Sequence, residues 1–253
     1  MTHADKVAAN RLAGGRLDGL AIGEDEGYAV QEAANAALAG KLGAIAGHKI
    51  GATAEGMRKL LNVPGPIAGD VFASTVHEKR ATLRLADYVR PGLETEIAVR
   101  IGRDLTPDEA PWSKERIAAA VAAVLPAIEI VDNRYTDFAK AGAGTIIADN
   151  AFNAGSILGP ETTDWQGLPL DRLTARTLID GREVGTGLSD ELLGHPLNAL
   201  VWLADRYAGL GRTLQAGRFV SLGTITPVQW ITRPLRGAHR GRGLGGVEVV
   251  FAA

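Results

Sequence analysis

The chain has 253 residues and a formal net charge of −2, so it has no excess of basic charge with which to gather nucleic acid or anionic lipid. Cysteine is absent, which excludes disulfide frameworks, thiolate nucleophiles and cysteine-bound metal sites. Hydrophobic residues make up 46% and charged residues 22%, proportions that favour a packed enzyme or binding protein over a disordered chain or a coiled coil.

The first part of the chain is typical of helices. Alanine-rich stretches at residues 6–12 and 23–43 predict two helices. The run AGHKIGAT at 46–53 then predicts a short strand, and AEGMRKLL at 54–61 predicts a helix that ends at a proline turn.

The middle of the chain predicts strands with one helix between them. The runs ATLRLADYV at 81–89 and ETEIAVRIG at 94–102 read as strands. SKERIAAAVAAVL at 113–125 predicts a helix capped by Ser113, and PAIEIVD at 126–132 predicts the strand that follows.

The last hundred residues are dominated by strand patterns, with one helix at 196–211. The segment IDGREV carries the Asp-Gly signal of a tight hairpin at Asp180 and Gly181. The alternation of a doubly wound fold is not sustained, so the order predicts an α+β protein with a large mixed or antiparallel sheet.

We expect residues 1–75 to form a helical N-terminal section and 76–253 a β-rich catalytic domain, the two making one structural unit. The N-terminus lacks the continuous apolar stretch of a signal peptide. No later segment reaches the roughly 18 uncharged apolar residues of a membrane span. We therefore expect a cytoplasmic protein with neither a membrane nor a nucleic acid as its partner.

Two carboxylates interrupt a strand that is otherwise apolar. Glu94 and Glu96 are two residues apart, so in a strand they point to the same face, where their charges repel. Glu129 lies in a second apolar run. A bound divalent cation would let all three stay ionised, and oxygen ligands alone favour Mg²⁺ or Mn²⁺.

The alternative interpretation involves no metal. Acids often alternate with apolar residues on half-exposed strands, so Glu94 and Glu96 could line the wet face of an edge strand. Glu129 would then pair with an arginine such as Arg134.

Five segments together resemble the 2-oxopent-4-enoate hydratase and 4-oxalocrotonate decarboxylase family, within the fumarylacetoacetate hydrolase superfamily. The resemblance runs from about Tyr28 to Phe251 in family order. It is carried by HKIGAT at 48–53, ETEIAVRIGRDL at 94–105, LPAIEIVDNR at 125–134, ADNAFNAGSILG at 148–159 and LGHPLNALVWLA at 193–204.

The resemblance implies the mixed β-sandwich roll of that superfamily, preceded by a helical section and assembled into homo-oligomers. It implies that Glu94, Glu96 and Glu129 hold Mg²⁺ or Mn²⁺. The family lysine matches Lys49, which would shuttle protons if burial and the cation depress its pKa toward neutrality.

The chain departs from the hydratase pattern where that pattern has an acid and a hydroxyl. Ile67 replaces an Asp, and the nearest acid, Asp70, is the displaced catalytic candidate. Phe152 replaces a Ser, so we expect Phe152 to contact the substrate in a pocket that is less polar than usual.

A third departure lies near the C-terminus, where Leu222 precedes Gly223 in a loop that is TG in the family. Gly223 and Thr224 are the substrate-binding candidates of this segment. Thr224 would bind the substrate carboxylate, or would only cap a turn.

The function implied is a metal-dependent lyase that adds water to a small 2-hydroxydienoic or 2-oxoenoic acid formed in aromatic catabolism. The decarboxylase of a 2-oxo acid is the second choice. A hydrolase of acylpyruvates and a non-catalytic binding subunit are the further alternatives.

Overall fold

The structure is a computed structural model that describes residues 1–241 and 243–253. Its α-helices are α1 (His3–Ala13), α2 (Glu24–Leu42), α3 (Glu55–Leu61), α4 (Lys114–Ala118), α5 (Ala143–Ala148) and α6 (Pro196–Gly209). Its strands are β1 (Ile45–Gly51), β2 (Ile67–Phe72), β3 (Val76–Glu78), β4 (Arg80–Arg84), β5 (Pro91–Ile101), β6 (Val121–Asp132), β7 (Asn153–Leu158), β8 (Thr174–Ile179), β9 (Arg182–Leu188), β10 (Phe219–Thr224), β11 (Gln229–Trp230), β12 (Leu235–Gly241) and β13 (Gly245–Ala252).

The strands form two mixed sheets. The larger sheet runs β2-β1-β10-β5-β6-β7-β3, with β11 paired to β5, and the smaller runs β4-β13-β12-β8-β9. The pairs β1 with β10, β3 with β7 and β4 with β13 are parallel, whereas the other pairs are antiparallel. The predicted α+β class with a large mixed sheet is therefore confirmed.

The two sheets pack face to face over a common core. Leu93 of β5 and Ile128 of β6 meet Val249 and Phe251 of β13 in one fully buried apolar cluster. On the same inner face, Thr95 Oγ1 lies 2.9 Å from Thr177 Oγ1 of the smaller sheet. Since side chains alternate along a strand, Glu94 and Glu96 face the opposite way, toward the N-terminal section.

The predicted N-terminal section contributes both helices and strands. Its β1 pairs with β10 in the middle of the larger sheet, and β2 extends that sheet at its edge. Helix α2 packs against α5 so closely that a Cβ on Gly27 would lie 2.5 Å from the Gly144 carbonyl oxygen. Glycine at both positions permits this approach, which fixes α5 and the turn after it beside the sheet.

One predicted helix is largely a strand. The sequence predicts a helix over 113–125, but α4 ends at Ala118 and β6 already begins at Val121. Strand β6 pairs with β5 over its whole length, and Ala123, Val124 and Leu125 are completely buried. A continuous apolar run suits a doubly buried strand as well as a helix, and here sheet pairing overrides the helix propensity of alanine.

The predicted Asp-Gly hairpin is confirmed between β8 and β9. Asp180 and Gly181 have φ values of 49° and 81°, the left-handed pair that a tight hairpin turn requires.

Within the described ranges, no helix has the length and hydropathy that a membrane crossing would need.

Candidate metal centre and cavity

Three glutamates converge on the outer face of the larger sheet. Glu94 lies directly opposite Glu129 in the β5–β6 register, and Glu96 follows two residues along the same strand. One carboxylate oxygen from each lies within 4.8 Å of the others. The side chains of Glu96 and Glu129 are 1% and 0% exposed, and Glu94 is 9% exposed, so the edge-strand alternative is wrong.

The proposed pairing of Glu129 with Arg134 is also wrong. Arg134 Nη2 donates to both oxygens of Asp149 at 2.5 Å, and its Nη1 lies 3.5 Å from Asp132. Arg134 is thus engaged by Asp149 and Asp132. Glu129 remains with the other two carboxylates.

In both Glu96 and Glu129, one carboxylate oxygen accepts hydrogen bonds from the protein and the other accepts none. Ser221 Oγ and the Gly223 N–H donate to Glu96 Oε2, and Asn153 Nδ2 donates to Glu129 Oε1 at 2.9 Å. Among the described residues, the buried atoms Glu96 Oε1 and Glu129 Oε2 have no hydrogen-bond partner. Unpaired buried carboxylate oxygens are costly, so they indicate a ligand that these residues are built to bind.

The electrostatics of the cluster favour a cation. Burial, then repulsion from Glu129, raises the pKa of Glu94 to about 7. Burial, followed by the charges of Glu129 and Glu94, raises the pKa of Glu96 well above its ordinary value. A bound divalent cation would favour the ionised carboxylates and so lower the pKa values of Glu94 and Glu96. A donor set made only of oxygen atoms fits Mg²⁺ or Mn²⁺.

Lys49 joins the cluster from β1. Its Nζ lies 3.3 Å from Glu129 Oε1 and donates to the Ala151 carbonyl at 3.1 Å. Burial lowers the pKa of Lys49, but Glu129, Glu94 and Glu96 outweigh burial and raise the pKa above its ordinary value. The three carboxylates therefore favour the charged ammonium form of Lys49, and the lowering of its pKa by a bound cation stays a prediction.

A strained turn closes the site opposite Lys49. Asn150, Ala151 and Phe152 have φ values of 51°, 49° and 66°, three consecutive residues in the left-handed region. The Phe152 N–H donates to the Asp149 carbonyl at 3.0 Å, and Lys49 binds the Ala151 carbonyl. The turn presents Phe152 to the cavity and starts β7 at Asn153, which reaches Glu129.

A cavity of about 320 Å³ opens from Lys49 and Glu94. Among the described residues, the hydroxyl-bearing Thr53 and Thr224 also line it. The remaining wall is apolar or backbone: Gly51, Ala52, Ala54, Met57, Leu60, Leu61, Ile67, Val131, Phe138, Ile146, Ala151, Phe152, Pro227, Val228 and Trp230. Ile67 and Phe152, two of the three departures from the hydratase pattern, thus both line the cavity.

The two substrate-binding candidates near the C-terminus, Gly223 and Thr224, make different contacts. Gly223 supports Glu96 through its N–H, and its φ of 112° brings it so close to Thr53 that a Cβ would lie 2.2 Å from Thr53 Oγ1. Thr224 lines the cavity, while its hydroxyl donates to the Thr226 carbonyl at 2.8 Å. Thr224 therefore stabilises the turn and also borders the cavity.

Asp70 is not brought to the site, which corrects the catalytic role predicted for it. It lies opposite His48 in the β1–β2 register, and its Oδ1 is 2.7 Å from His48 Nδ1. Tyr207 and Asn35 also donate to its carboxylate. Because His48 and Lys49 are neighbours on one strand, their side chains point to opposite faces, and Asp70 follows His48.

Sequence reasoning missed Asn153 and Ser221. Both are polar residues in buried strands, and each binds one of the site glutamates. The only sequence signal was polarity within an apolar run, which does not say which partner the side chain meets.

The chain is similar in sequence to known proteins. The family model described as fumarylacetoacetate (FAA) hydrolase C-terminal matches residues 62–242. A 2-keto-4-pentenoate hydratase of Paraburkholderia phymatum is 34% identical over 225 residues, which are 89% of this chain and 85% of that protein. A 2-hydroxyhexa-2,4-dienoate hydratase of Comamonas testosteroni is 32% identical over 187 residues, 73% of this chain and 69% of that protein.

The fold is shared with solved structures. The 4-oxalocrotonate decarboxylase of Pseudomonas putida G7, complexed with magnesium and adipate, aligns with a TM-score of 0.92 at 24% identity. The alignment covers 99% of this chain and 96% of that one. The resemblance seen in the sequence is confirmed, and because the family model spans well over half of its length, this chain belongs to the fumarylacetoacetate hydrolase family.

Proposed function

We propose that this protein is a divalent-metal-dependent lyase that hydrates a 2-hydroxydienoate or its 2-oxoenoate tautomer, of the kind formed when aromatic rings are degraded. The observation that carries the proposal is the buried cluster of Glu94, Glu96 and Glu129 with Lys49 at one end of an apolar cavity. Relatives at 32–34% identity are named as hydratases of such acids, which supports the same substrate class here.

Glu94, Glu96 and Glu129 would hold Mg²⁺ or Mn²⁺ through the carboxylate oxygens that converge between β5 and β6. When bound, such a cation would draw charge from the carboxylate and C2 oxygens of a 2-oxo acid and so stabilise the negative charge that develops on the C2 oxygen. Ser221 and Asn153 fix the orientation of two of these carboxylates, so that the donor set is preorganised.

Lys49 is the proton carrier of the proposal. Hydration requires a proton to move from the C2 hydroxyl to C5, after which water adds its hydroxyl at C4 and its proton at C3. Among the described residues that line the cavity, Lys49 is the one basic side chain. Its contacts with Ala151 and Glu129 hold Nζ at the base of the cavity, where it can give and accept these protons.

Decarboxylation is the second candidate, and the departures at Ile67 and Phe152 favour it. Both positions put apolar side chains in the cavity where a water-orienting acid and hydroxyl stand in the hydratase pattern. Loss of CO₂ from a vinylogous β-keto acid would use the same stabilisation of charge on the C2 oxygen and needs no added water.

One pair of substrates separates these reactions. With Mg²⁺, the protein should remove the dienol absorbance of 2-hydroxypenta-2,4-dienoate if it is a hydratase. It should release CO₂ from 2-oxohex-3-enedioate if it is a decarboxylase.

Lys49→Met should abolish turnover while it spares metal binding, and a variant with unchanged turnover would remove Lys49 from the mechanism.

The remaining expectations stay predictions. Homo-oligomer formation, which the family resemblance implies, is tested by sedimentation of the purified protein. A cytoplasmic location is tested by cell fractionation.

A further inference from the structure

We propose that the cavity takes substrates whose carbon chain continues beyond C5 as an uncharged alkyl tail longer than methyl. The inference rests on the proposed function for the polar end of the substrate. It adds the chemical nature of the other end, which no comparison assigns.

The wall beyond the polar end is apolar on several sides at once. Helix α3 contributes Met57 and Leu60, the turn at the end of α5 contributes Phe152, and the segment ending in β11 contributes Val228 and Trp230. These residues come from three separate parts of the chain. Apolar surface from several elements that faces one cavity is the pattern of a site for an apolar ligand group.

The charge distribution disfavours an acidic tail, and so also counts against the dicarboxylic substrate of the decarboxylase candidate. Among the described residues that line the cavity, the only cationic side chain is Lys49, and it already contacts Glu129 and the Ala151 carbonyl. The only anionic one is Glu94, at the same end. A second substrate carboxylate would therefore be buried against carbon without a counter-ion, which strongly disfavours binding.

The open side of the cavity leaves room for the tail to extend. Leu60 lines the cavity and is 53% exposed, so it stands where the cavity meets solvent. Phe152 is 8% exposed and lies deeper. A tail that runs from Phe152 toward Leu60 would cover exposed apolar surface, with a gain of roughly fourfold in affinity per buried methylene.

Binding of unreactive 2-oxo acids tests the proposal without turnover. Calorimetric titration in Mg²⁺ should show 2-oxooctanoate binding at least roughly tenfold more tightly than 2-oxohexanoate, because two more methylenes are buried. It should show 2-oxoadipate, which carries a terminal carboxylate, binding more weakly than 2-oxohexanoate. Affinities that do not depend on tail length, or that favour 2-oxoadipate, would overturn the proposal.

A charge placed at the mouth tests the location of the tail. Leu60→Arg should lower the preference for 2-oxooctanoate and raise the affinity for 2-oxoadipate. Leu210→Arg is the matched control, since Leu210 is 52% exposed and lies at the end of α6, outside the cavity wall. A Leu60→Arg protein that keeps the full alkyl preference would contradict the placement.

The two proposals fail in different ways. If 2-hydroxypenta-2,4-dienoate is hydrated but tail length has no effect on binding, the apolar-tail inference is wrong and the proposed function stands. If affinity rises with tail length but no dienoate is converted, the cavity is assigned correctly and the proposed reaction is wrong.

Discussion

Asn153 donates its side-chain amide to Glu129 Oε1 at 2.9 Å, and both residues are completely buried. The contact links the first residue of β7 to a carboxylate of the neighbouring strand β6. Because Asn153 follows the left-handed turn at 150–152, the backbone of that turn sets where the amide group lies. Asn153 therefore orients one of the three carboxylates that would bind the metal.

Asn153→Ala should weaken Mg²⁺ or Mn²⁺ binding by about 10- to 100-fold, since a residue that orients a metal ligand typically contributes that much affinity. Calorimetric titration of the metal measures the effect. Asn198→Ala is a suitable control, because Asn198 likewise donates its side-chain amide, in its case to the Leu193 carbonyl, but lies on α6. Equal metal affinities in the two variants would refute the orienting role.

Glu129→Gln should reduce metal affinity by more than roughly 100-fold, beyond the loss expected for a residue outside the ligand set. The amide keeps the shape of the side chain, so the fold should persist, and loss of the Glu129 charge should let the pKa of Glu94 fall. Metal titration measures the affinity, and circular dichroism checks that the variant is folded. Undiminished binding in a folded variant would show that the cluster is not the metal site.

Asp70→Asn and Lys49→Met separate structure from catalysis. Asp70 accepts hydrogen bonds from Tyr207 and Asn35 and faces His48, so its substitution should lower the free energy of unfolding by about 1 to 3 kcal/mol. Turnover of the folded Asp70→Asn protein should fall by less than roughly tenfold, whereas Lys49→Met should lose turnover. A loss in Asp70→Asn as deep as in Lys49→Met would restore Asp70 to the catalytic site.

The free energy of unfolding should fall in acid because of His239. This side chain is 1% exposed between the sheets, with Nδ1 3.2 Å from the Ala127 carbonyl, and burial lowers its pKa from 6.5 to about 4. The folded protein therefore binds fewer protons than the unfolded chain, so this stabilisation is present above pH 6.5 and is lost as the pH falls toward 4. The loss amounts to roughly 3 kcal/mol.

Denaturant unfolding between pH 4 and 7 measures this slope. His239→Asn removes the titrating group, so the variant should show a shallower acid dependence whatever its stability at neutral pH. Parallel pH curves for the two proteins would exclude His239 as the source.

Ala151→Gly should raise the free energy of unfolding by up to about 1 kcal/mol. Ala151 has a φ of 49°, a left-handed conformation that costs an alanine about that much and a glycine almost nothing. In a protein of this size the melting temperature should rise by roughly 2 to 4 °C. Ala208→Gly, in the last turn of α6, should instead destabilise, and a fall in both variants would show that the turn is not strained.

The sequence by itself determined the parts of the site that depend on local periodicity. Glu94 and Glu96 had to share a face, because side chains two apart on a strand always do. The same rule placed His48 and Lys49 on opposite faces. The Asp-Gly turn at Asp180 and Gly181 followed from the few residues that tolerate left-handed dihedral angles.

Tertiary structure decided what periodicity leaves open. The run 121–125 became strand β6 because β5 offers hydrogen bonds along its length, and this pairing also brought Glu129 opposite Glu94. The position of Asp70 depended on the β1–β2 register, which places its side chain beside His48 and on the face opposite Lys49. Contacts between distant segments set these outcomes, and a linear pattern carries no record of which strand will lie beside which.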